Sequence, residues 1–197
     1  MTSIGDIRDR IRIDIHDTDS GAYRWSDGTL DRHIGHALEE VSLAIPQELR
    51  ATIATTAGSR DLDVSSLDGL VGVERVEFPA GLTPASFVPF TRWASTLTLN
   101  LDCDPTGEDA AISYTARHVL DDDGSTLPPF LEDLVVTGAS AYAVLEQSVA
   151  TVDTLNTGAH TPDVYAAWAR ARLIAFRQLL LQYGRDNRVR SRRLLPA

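Results

Sequence analysis

The chain has 197 residues, which is enough to bury a sizeable core, so we expect one domain with an insertion or two small lobes. The net charge is −10, and it is unevenly divided. Residues 1–169 carry 10 arginines against 27 acidic residues, a net charge of −17, whereas residues 170–197 carry 8 arginines against one aspartate, a net charge of +7. An acidic body repels phosphate backbones, so nucleic-acid binding by the main surface is disfavoured. The basic end can meet an acidic protein surface or a nucleic acid, and the alternative is a solvated, partly disordered tail.

The single cysteine, Cys103, leaves no partner for an intrachain disulfide and indicates a reducing compartment. The N-terminus has no secretory signal, and no window approaches the ~20 apolar residues of a membrane span. We therefore expect a protein that is made in a cytoplasm and does not contact a membrane.

The first 46 residues predict two helices. In the first, isoleucines recur at helical spacing: Ile4, Ile7, Ile11 and Ile15. In the second, Ser26 is a suitable N-cap, Trp25 is placed to pack against Leu30, and Pro46 ends or kinks the helix.

After Thr52 the apolar spacing changes to about two residues, which is typical of β-strands. Five such runs predict a small antiparallel sheet or sandwich: Leu62–Val64, Val71–Phe78, Phe87–Trp93, Thr96–Leu101 and Ala111–Val119. Three prolines make the region 79–89 a loop or an edge strand.

Two further helices follow. The first, from Leu131 to Val149, has small residues around Gly138 that would let another helix approach closely. The second begins at Thr161, a possible cap, with Pro162 in its first turn. Its apolar residues form a wide stripe, so we expect burial on more than one side. The stripe comprises Val164, Tyr165, Trp168, Ala169, Ala171, Leu173, Ala175, Phe176, Leu179, Leu180 and Tyr183.

Gly184 is predicted to be the C-cap of this helix. The basic residues after it are predicted to form a projecting arm, which ends in Leu194, Leu195 and two further residues. The complete prediction is an α+β fold, with two N-terminal and two C-terminal helices as a frame, residues 1–52 and 127–184. A small antiparallel β lobe, residues 53–126, is inserted, and an extended C-terminal arm, residues 185–197, follows.

Motifs for catalysis are missing from the sequence. The residues around Ser140 lack the second glycine of a nucleophile elbow, and no phosphate-binding loop or zinc motif is present. We therefore predict no catalytic residue, no cofactor and no metal.

The best metal candidate, Asp102–Asp109, begins like a calcium loop, but Ser113 stands where a bidentate glutamate is required. A polar turn between strands is the preferred interpretation. His33 and His36 lie three residues apart on the second helix and could share a metal, although no third ligand is evident. Surface histidines are the preferred interpretation.

The order of motifs resembles the head–tail connector (adaptor, or head-completion) proteins of long-tailed bacteriophages. The resemblance covers most of the chain: a charged N-terminal helix, then Trp25-Ser26-Asp27 with Leu30, Ile34 and Ala37, then a β insertion ending in Ile112–His118, then Leu127-Pro128-Pro129 leading into Leu134–Ala139.

The resemblance implies a structural virion protein, assembled in the host cytoplasm. Copies, typically twelve, would form a ring beneath the portal protein at the head–tail interface, with the next connector or tail protein on the other side. Genomic DNA would pass through with only transient, non-specific contact, which an acidic wall favours. The C-terminal arm would bind the portal through a set of basic and apolar residues: Arg185, Arg188, Arg190, Arg192, Arg193, Leu194 and Leu195.

Two alternatives remain. One is a metal-dependent hydrolase that uses Asp102, Asp104 and His118. The other is a carbohydrate-binding or decoration module of a virion that depends on Trp93, although aromatic residues at strand spacing more often belong to a core.

Overall fold

A computed structural model of the chain describes residues 2–152 and 161–188. Within them it confirms an α+β architecture of four helices, a four-stranded antiparallel sheet and a three-stranded sheet. The helices are α1 (Ile4–Asp14), α2 (Asp27–Ala44), α3 (Pro129–Val152) and α4 (Thr161–Arg188). The strands are β1 (Gln47–Ala54), β2 (Asp61–Asp63), β3 (Leu70–Glu77), β4 (Phe87–Val88), β5 (Phe90–Trp93), β6 (Thr96–Leu99) and β7 (Asp109–Ala116). No helix in these two ranges combines the length and apolar character needed to cross a bilayer.

The chain divides into two compact units. One, the helical unit, comprises Met1–Ile45 and His118–Ala197, and the other, the β unit, comprises Pro46–Arg117. The sequence suggested boundaries about seven to nine residues later. The difference arises because β1 begins at Gln47, directly after Pro46, and β7 ends at Ala116.

Helix α1 begins with a capping box. The Ser3 hydroxyl accepts the N–H of Asp6 at 3.2 Å, and the Asp6 carboxylate accepts the N–H of Ser3 at 2.8 Å. The carboxylate also accepts the Ser3 hydroxyl at 3.0 Å, and the backbone and side-chain hydrogen bonds that it accepts from Ser3 lower the pKa of Asp6. Ile7 and Ile11 are completely buried, as their spacing predicted.

A buried arginine connects α1 to the loop that follows it. Arg12 is 4% exposed, and its guanidinium donates to Asp17 at 2.7 Å, to Asp27 at 2.6 Å and to the carbonyl oxygen of Trp25 at 3.1 Å. Asp17 also accepts the N–H of Arg24 at 2.9 Å. Since an unpaired charge is costly to bury, this network fixes the loop and places the start of α2 beside α1.

Helix α2 starts where the sequence predicted. The Ser26 hydroxyl accepts the N–H of Thr29 at 3.1 Å, which satisfies one of the free N–H groups of the first turn. Trp25 and Leu30 belong to one buried cluster, and the Trp25 indole donates to the carbonyl oxygen of Ala143 in α3 at 3.1 Å.

Helices α3 and α4 pack closely where Gly138 faces Phe176. A Cβ atom at position 138 would lie 2.9 Å from the Phe176 ring and 3.1 Å from the Cβ of Ala37 in α2. Phe176 is completely buried. The prediction that small residues in α3 allow close helix approach is thus confirmed, and three helices meet at this point.

The β unit contains all five predicted strand regions and one more. The larger sheet has the order β1-β7-β3-β4, and the smaller sheet has the order β2-β6-β5. The short strand β4 lies at an edge, as the prolines of 79–89 indicated. The additional strand, β1, pairs with β7 along its whole length, from Gln47 opposite Ala116 to Ala54 opposite Asp109.

The β unit has its own apolar core. Its buried members include Leu62, Val76, Leu97, Leu99 and Ile112. In β2 and β6 the buried leucines alternate with more exposed residues, which is the period of two from which the strands were predicted. Strand β7 is buried along most of its length instead.

Two glycine substitutions test the packing at Gly138. Gly138→Ala should lower the free energy of unfolding, because overpacking a rigid site costs about 1–3 kcal/mol and exceeds the gain in helix propensity. Gly35→Ala is the matched control, since nothing lies within 4 Å of a Cβ at that position of α2. It should raise stability by about 0.5–1 kcal/mol. Urea unfolding measures both, and a stabilised Gly138→Ala would contradict the packing described.

Candidate functional site

Helix α4 packs through one side against the other described residues of the helical unit. On that side Ala169, Phe176 and Leu180 are buried in the core of the helical unit. Near its end, Gly184 lies against α2, where an added Cβ would come within 3.2 Å of the carbonyl oxygen of Ala44. These contacts fix the orientation of α4 in the helical unit and determine which side faces solvent.

The opposite side of α4 is an uncharged stripe that solvent reaches. Its residues recur at spacings of three and four, and all are exposed: Val164, Ala167, Ala171, Ile174, Gln178 and Leu181. We call this set the open seam of α4. Val164 is 67% exposed, Ile174 58% and Leu181 72%, although each is a large apolar side chain. An apolar stripe that repeats every 3.5 residues is the pattern by which one helix packs against another.

The expectation that α4 is buried on more than one side is therefore wrong for residues 2–152 and 161–188 of a single chain. Val164, Ala171 and Ala175, which belong to the predicted stripe, are exposed. The physical reason is that α3 and the end of α2 cover one side of α4 and leave the other uncovered. Ile174 and Leu181 were not in the predicted stripe, although their spacing from Val164 was a signal that could have identified them.

Arginines line one edge of the open seam. Arg170 and Arg177 are exposed and lie two helical turns apart. Arg177 also interacts with Tyr142, whose hydroxyl donates to Glu40 at 2.6 Å. Burial, with this hydrogen bond, raises the pKa of Tyr142 to about 12. The phenol therefore stays neutral and keeps its hydrogen bond over the whole physiological range.

The C-terminal end of α4 and the end of α2 enclose an apolar groove of about 600 Å³. Its walls include Leu43 and Leu181, which are 55% and 72% exposed. Arg185 borders it. The groove continues the open seam towards the end of the helix.

The structure corrects the role predicted for Gly184. Helix α4 continues through it to Arg188, so Gly184 is not a C-cap, and Arg185 and Arg188 belong to the helix. The close approach to Ala44 explains the glycine instead. The remaining predicted portal-binding residues lie outside the described part of the chain: Arg190, Arg192, Arg193, Leu194 and Leu195.

The two histidines of α2 lie beside carboxylates, and His33, which is 8% exposed, is not a surface residue. His33 Nε2 lies 2.6 Å from Glu146, and His36 Nε2 lies 3.2 Å from Glu40, one turn further along α2. Burial lowers the pKa of His33. Among the residues that the structure describes, no group of three or more histidine, cysteine, aspartate and glutamate side chains could hold a metal ion.

Two of the three residues proposed for a hydrolase, His118 and Asp104, have structural contacts, whereas Asp102 is exposed in the loop after β6. His118 is 8% exposed, its Nε2 donates to the carbonyl oxygen of Ile45 at 3.0 Å, and its Nδ1 lies 3.2 Å from the Thr126 hydroxyl. Asp104 accepts from Arg60 at 2.7 Å. Both ring nitrogens of His118 are thus engaged within the helical unit.

Trp93 is the most exposed large apolar side chain of the β unit. It is 85% exposed at the end of β5, beside a tight turn in which Ala94 has φ +50°. The interpretation of this residue as a core aromatic is wrong, because Trp93, which pairs with Thr96 at the end of β5, leaves its side chain in solvent. Tyr114 of β7, by contrast, is buried in the core of the β unit.

No model of a known protein family matches the chain, and no characterised protein matches its sequence. Its function must therefore be inferred from the residues and contacts described above.

The buried imidazole of His118 predicts a pH effect on stability. Burial lowers the pKa of His118 in the folded state, whereas an unfolded histidine takes up a proton near pH 6.5. Between about pH 7 and pH 5 the unfolded state therefore binds more protons than the folded state. This contribution to stability is present above pH ~6.5 and is lost below it.

His118→Asn should therefore flatten the decline in the free energy of unfolding between pH 7 and pH 5, as measured by urea titration at each pH. The control is His16→Asn, because His16 is exposed and has φ +54°, a conformation that asparagine tolerates. It should keep the slope of the parent. Equal slopes in the parent and His118→Asn would contradict the prediction.

Proposed function

We propose that this chain is a structural subunit of a bacteriophage head–tail connector, in which copies form a ring beneath the portal and genomic DNA passes through the centre. The observation that carries the proposal is the open seam of α4. A monomer would leave Val164, Ile174 and Leu181 in water, and an apolar stripe of this kind usually marks a surface for another protein. The order of sequence motifs resembles that of connector proteins, and this resemblance is the reason for proposing a connector ring as the assembly.

The charge distribution supports the same proposal. The acidic part of the chain, residues 1–169, would not hold phosphates, so DNA could move past it with transient contact. The basic residues of 170–197 suit an acidic surface on the portal. In this proposal the ring surface is on the helical unit, and the β unit is available to the next connector or tail protein.

The portal-binding role of the C-terminal residues is tested by charge removal in the full chain. A triple variant, Arg190→Gln with Arg192→Gln and Arg193→Gln, is mixed with the portal protein of the same phage and viewed by negative-stain microscopy. Exposed ion pairs contribute up to about 1 kcal/mol each, so we expect about one to two orders of magnitude weaker binding to the portal.

The matched control removes the same charge from the β unit, through Arg60→Gln, Arg75→Gln and Arg92→Gln. It should add a ring layer to the portal as the parent chain does. If the C-terminal variant binds as tightly as the parent, the portal-binding role is wrong. If the parent itself adds no layer to the portal, the connector proposal is wrong.

A carbohydrate-binding or decoration role is the second candidate, and the exposure of Trp93 favours it. A tryptophan that is 85% exposed offers an aromatic face on which a sugar ring can stack. A glycan screen of the full chain tests this role, with Trp93→Ala as the control. Binding that is lost in Trp93→Ala would support it, and the absence of any bound glycan would exclude it.

A further inference from the structure

We infer that the open seam of α4 packs against the outer face of α1 in a second copy of the chain. The inference rests on the proposed function, because it identifies the contact that joins neighbouring subunits of the ring. The outer face of α1 consists of Asp6, Asp9 and Ile13, which recur at helical spacing and are all exposed. Ile13 is 63% exposed.

The two faces are complementary in charge. Arg170 and Arg177 border the open seam, whereas Asp6 and Asp9 occupy two of the three positions on the outer face of α1. More acidic residues lie close to the start of α1, because the carbonyl oxygen of Asp121 accepts the N–H of Ile4 at 2.9 Å, and Asp122 and Asp123 follow. A basic edge therefore meets an acidic face, which disfavours the pairing of either face with itself.

The two faces also match in their length along the helix and in the size of their side chains. Seven residues separate Asp6 from Ile13, and seven separate Arg170 from Arg177, so each set spans about 10 Å along its helix. Between Val164 and Ile174 the exposed seam contains only alanines, Ala167 and Ala171. This shallow part of the stripe can accept Ile13, the one large apolar residue of the α1 face.

Neither face is covered by the residues of its own chain that the structure describes. The buried side of α1 carries Ile7 and Ile11, which pack in the helical core, and the buried side of α4 carries Phe176. The contact would join two different surfaces, so each copy keeps one of each surface for its next neighbour. Such a head-to-tail contact builds a ring when the rotation between copies closes.

Disulfide trapping between copies tests the contact in the full-length chain. The exposed Cys103 is first replaced by Cys103→Ser. One tagged protein then carries Ala171→Cys, and an untagged protein carries Ile13→Cys. Oxidation of the mixture should give a tagged–untagged dimer on a non-reducing gel. Ala167→Cys and Ala175→Cys, one turn away on either side, test alignments of the two helices that are shifted by one turn, since the two Cα atoms must come within about 7 Å.

Two controls define specificity. Ser66→Cys, at an exposed position in the β unit, should give little product with Ala171→Cys. Arg170→Glu in the tagged protein should lower the yield of the α4–α1 product several-fold, and Asp9→Arg in the untagged protein should restore it. If Arg170→Glu leaves the yield unchanged, or Asp9→Arg does not restore it, the contact does not depend on these charges.

Cross-links between two copies of Ala171→Cys, with none to Ile13→Cys, would overturn the inference in favour of a symmetric α4–α4 contact. The absence of any α4–α1 product at every register would also overturn it. The two proposals fail separately. If a ring layer forms on the portal without these cross-links, the connector proposal holds and the α4–α1 contact is wrong. If the cross-links form but no layer appears on the portal, the contact holds and the connector proposal is wrong.

Discussion

The packing of Phe176 against Gly138 is the constraint on which the helical unit depends. The Phe176 ring occupies space that a side chain at position 138 would otherwise fill, and Ala37 of α2 closes the third side. Because this contact fixes one side of α4 in the core, it also decides which side remains outside. The open seam is thus a direct consequence of close packing at one glycine, and the contact of Gly184 with Ala44 fixes the orientation of α4 near its other end.

The same helix carries most of the positive charge in the described part of the C-terminal region. An apolar stripe bordered by Arg170 and Arg177, on a chain whose first 169 residues have a net charge of −17, is suited to an acidic protein surface. The Arg12 network has the opposite role, because its buried charges are all paired inside the chain. Buried charge here holds a loop in place, while exposed charge on α4 is available to a partner.

Local patterns predicted most of the fold. The isoleucine spacing of α1, the Ser26 cap of α2 and the small residues around Gly138 each specify a feature that depends on nearby residues, and the structure contains all three. Strand β1 was missed although Leu49, Ala51 and Ile53 alternate with exposed residues, since its partner β7 lies about 60 residues away. The role of Gly184 was missed for the same reason, because its contact with Ala44 is not local.

The candidate site was predictable only in part. The apolar character of α4 is visible in the sequence, but periodicity does not say whether a given apolar side has a partner in the same chain. The predicted burial of Ala171 and the core assignment of Trp93 both failed at this step, and only the tertiary arrangement could correct them.

The central claim is that another protein chain covers the open seam of α4. Sedimentation velocity of the full-length chain and of Ile174→Asp, over a range of concentrations up to the limit of solubility, tests this most directly. Ile174 is 58% exposed, so the charge should leave the circular dichroism spectrum and the unfolding midpoint unchanged. The account predicts that the parent associates into species heavier than the 21.5 kDa monomer and that Ile174→Asp remains monomeric. The same size distribution for both proteins would contradict it.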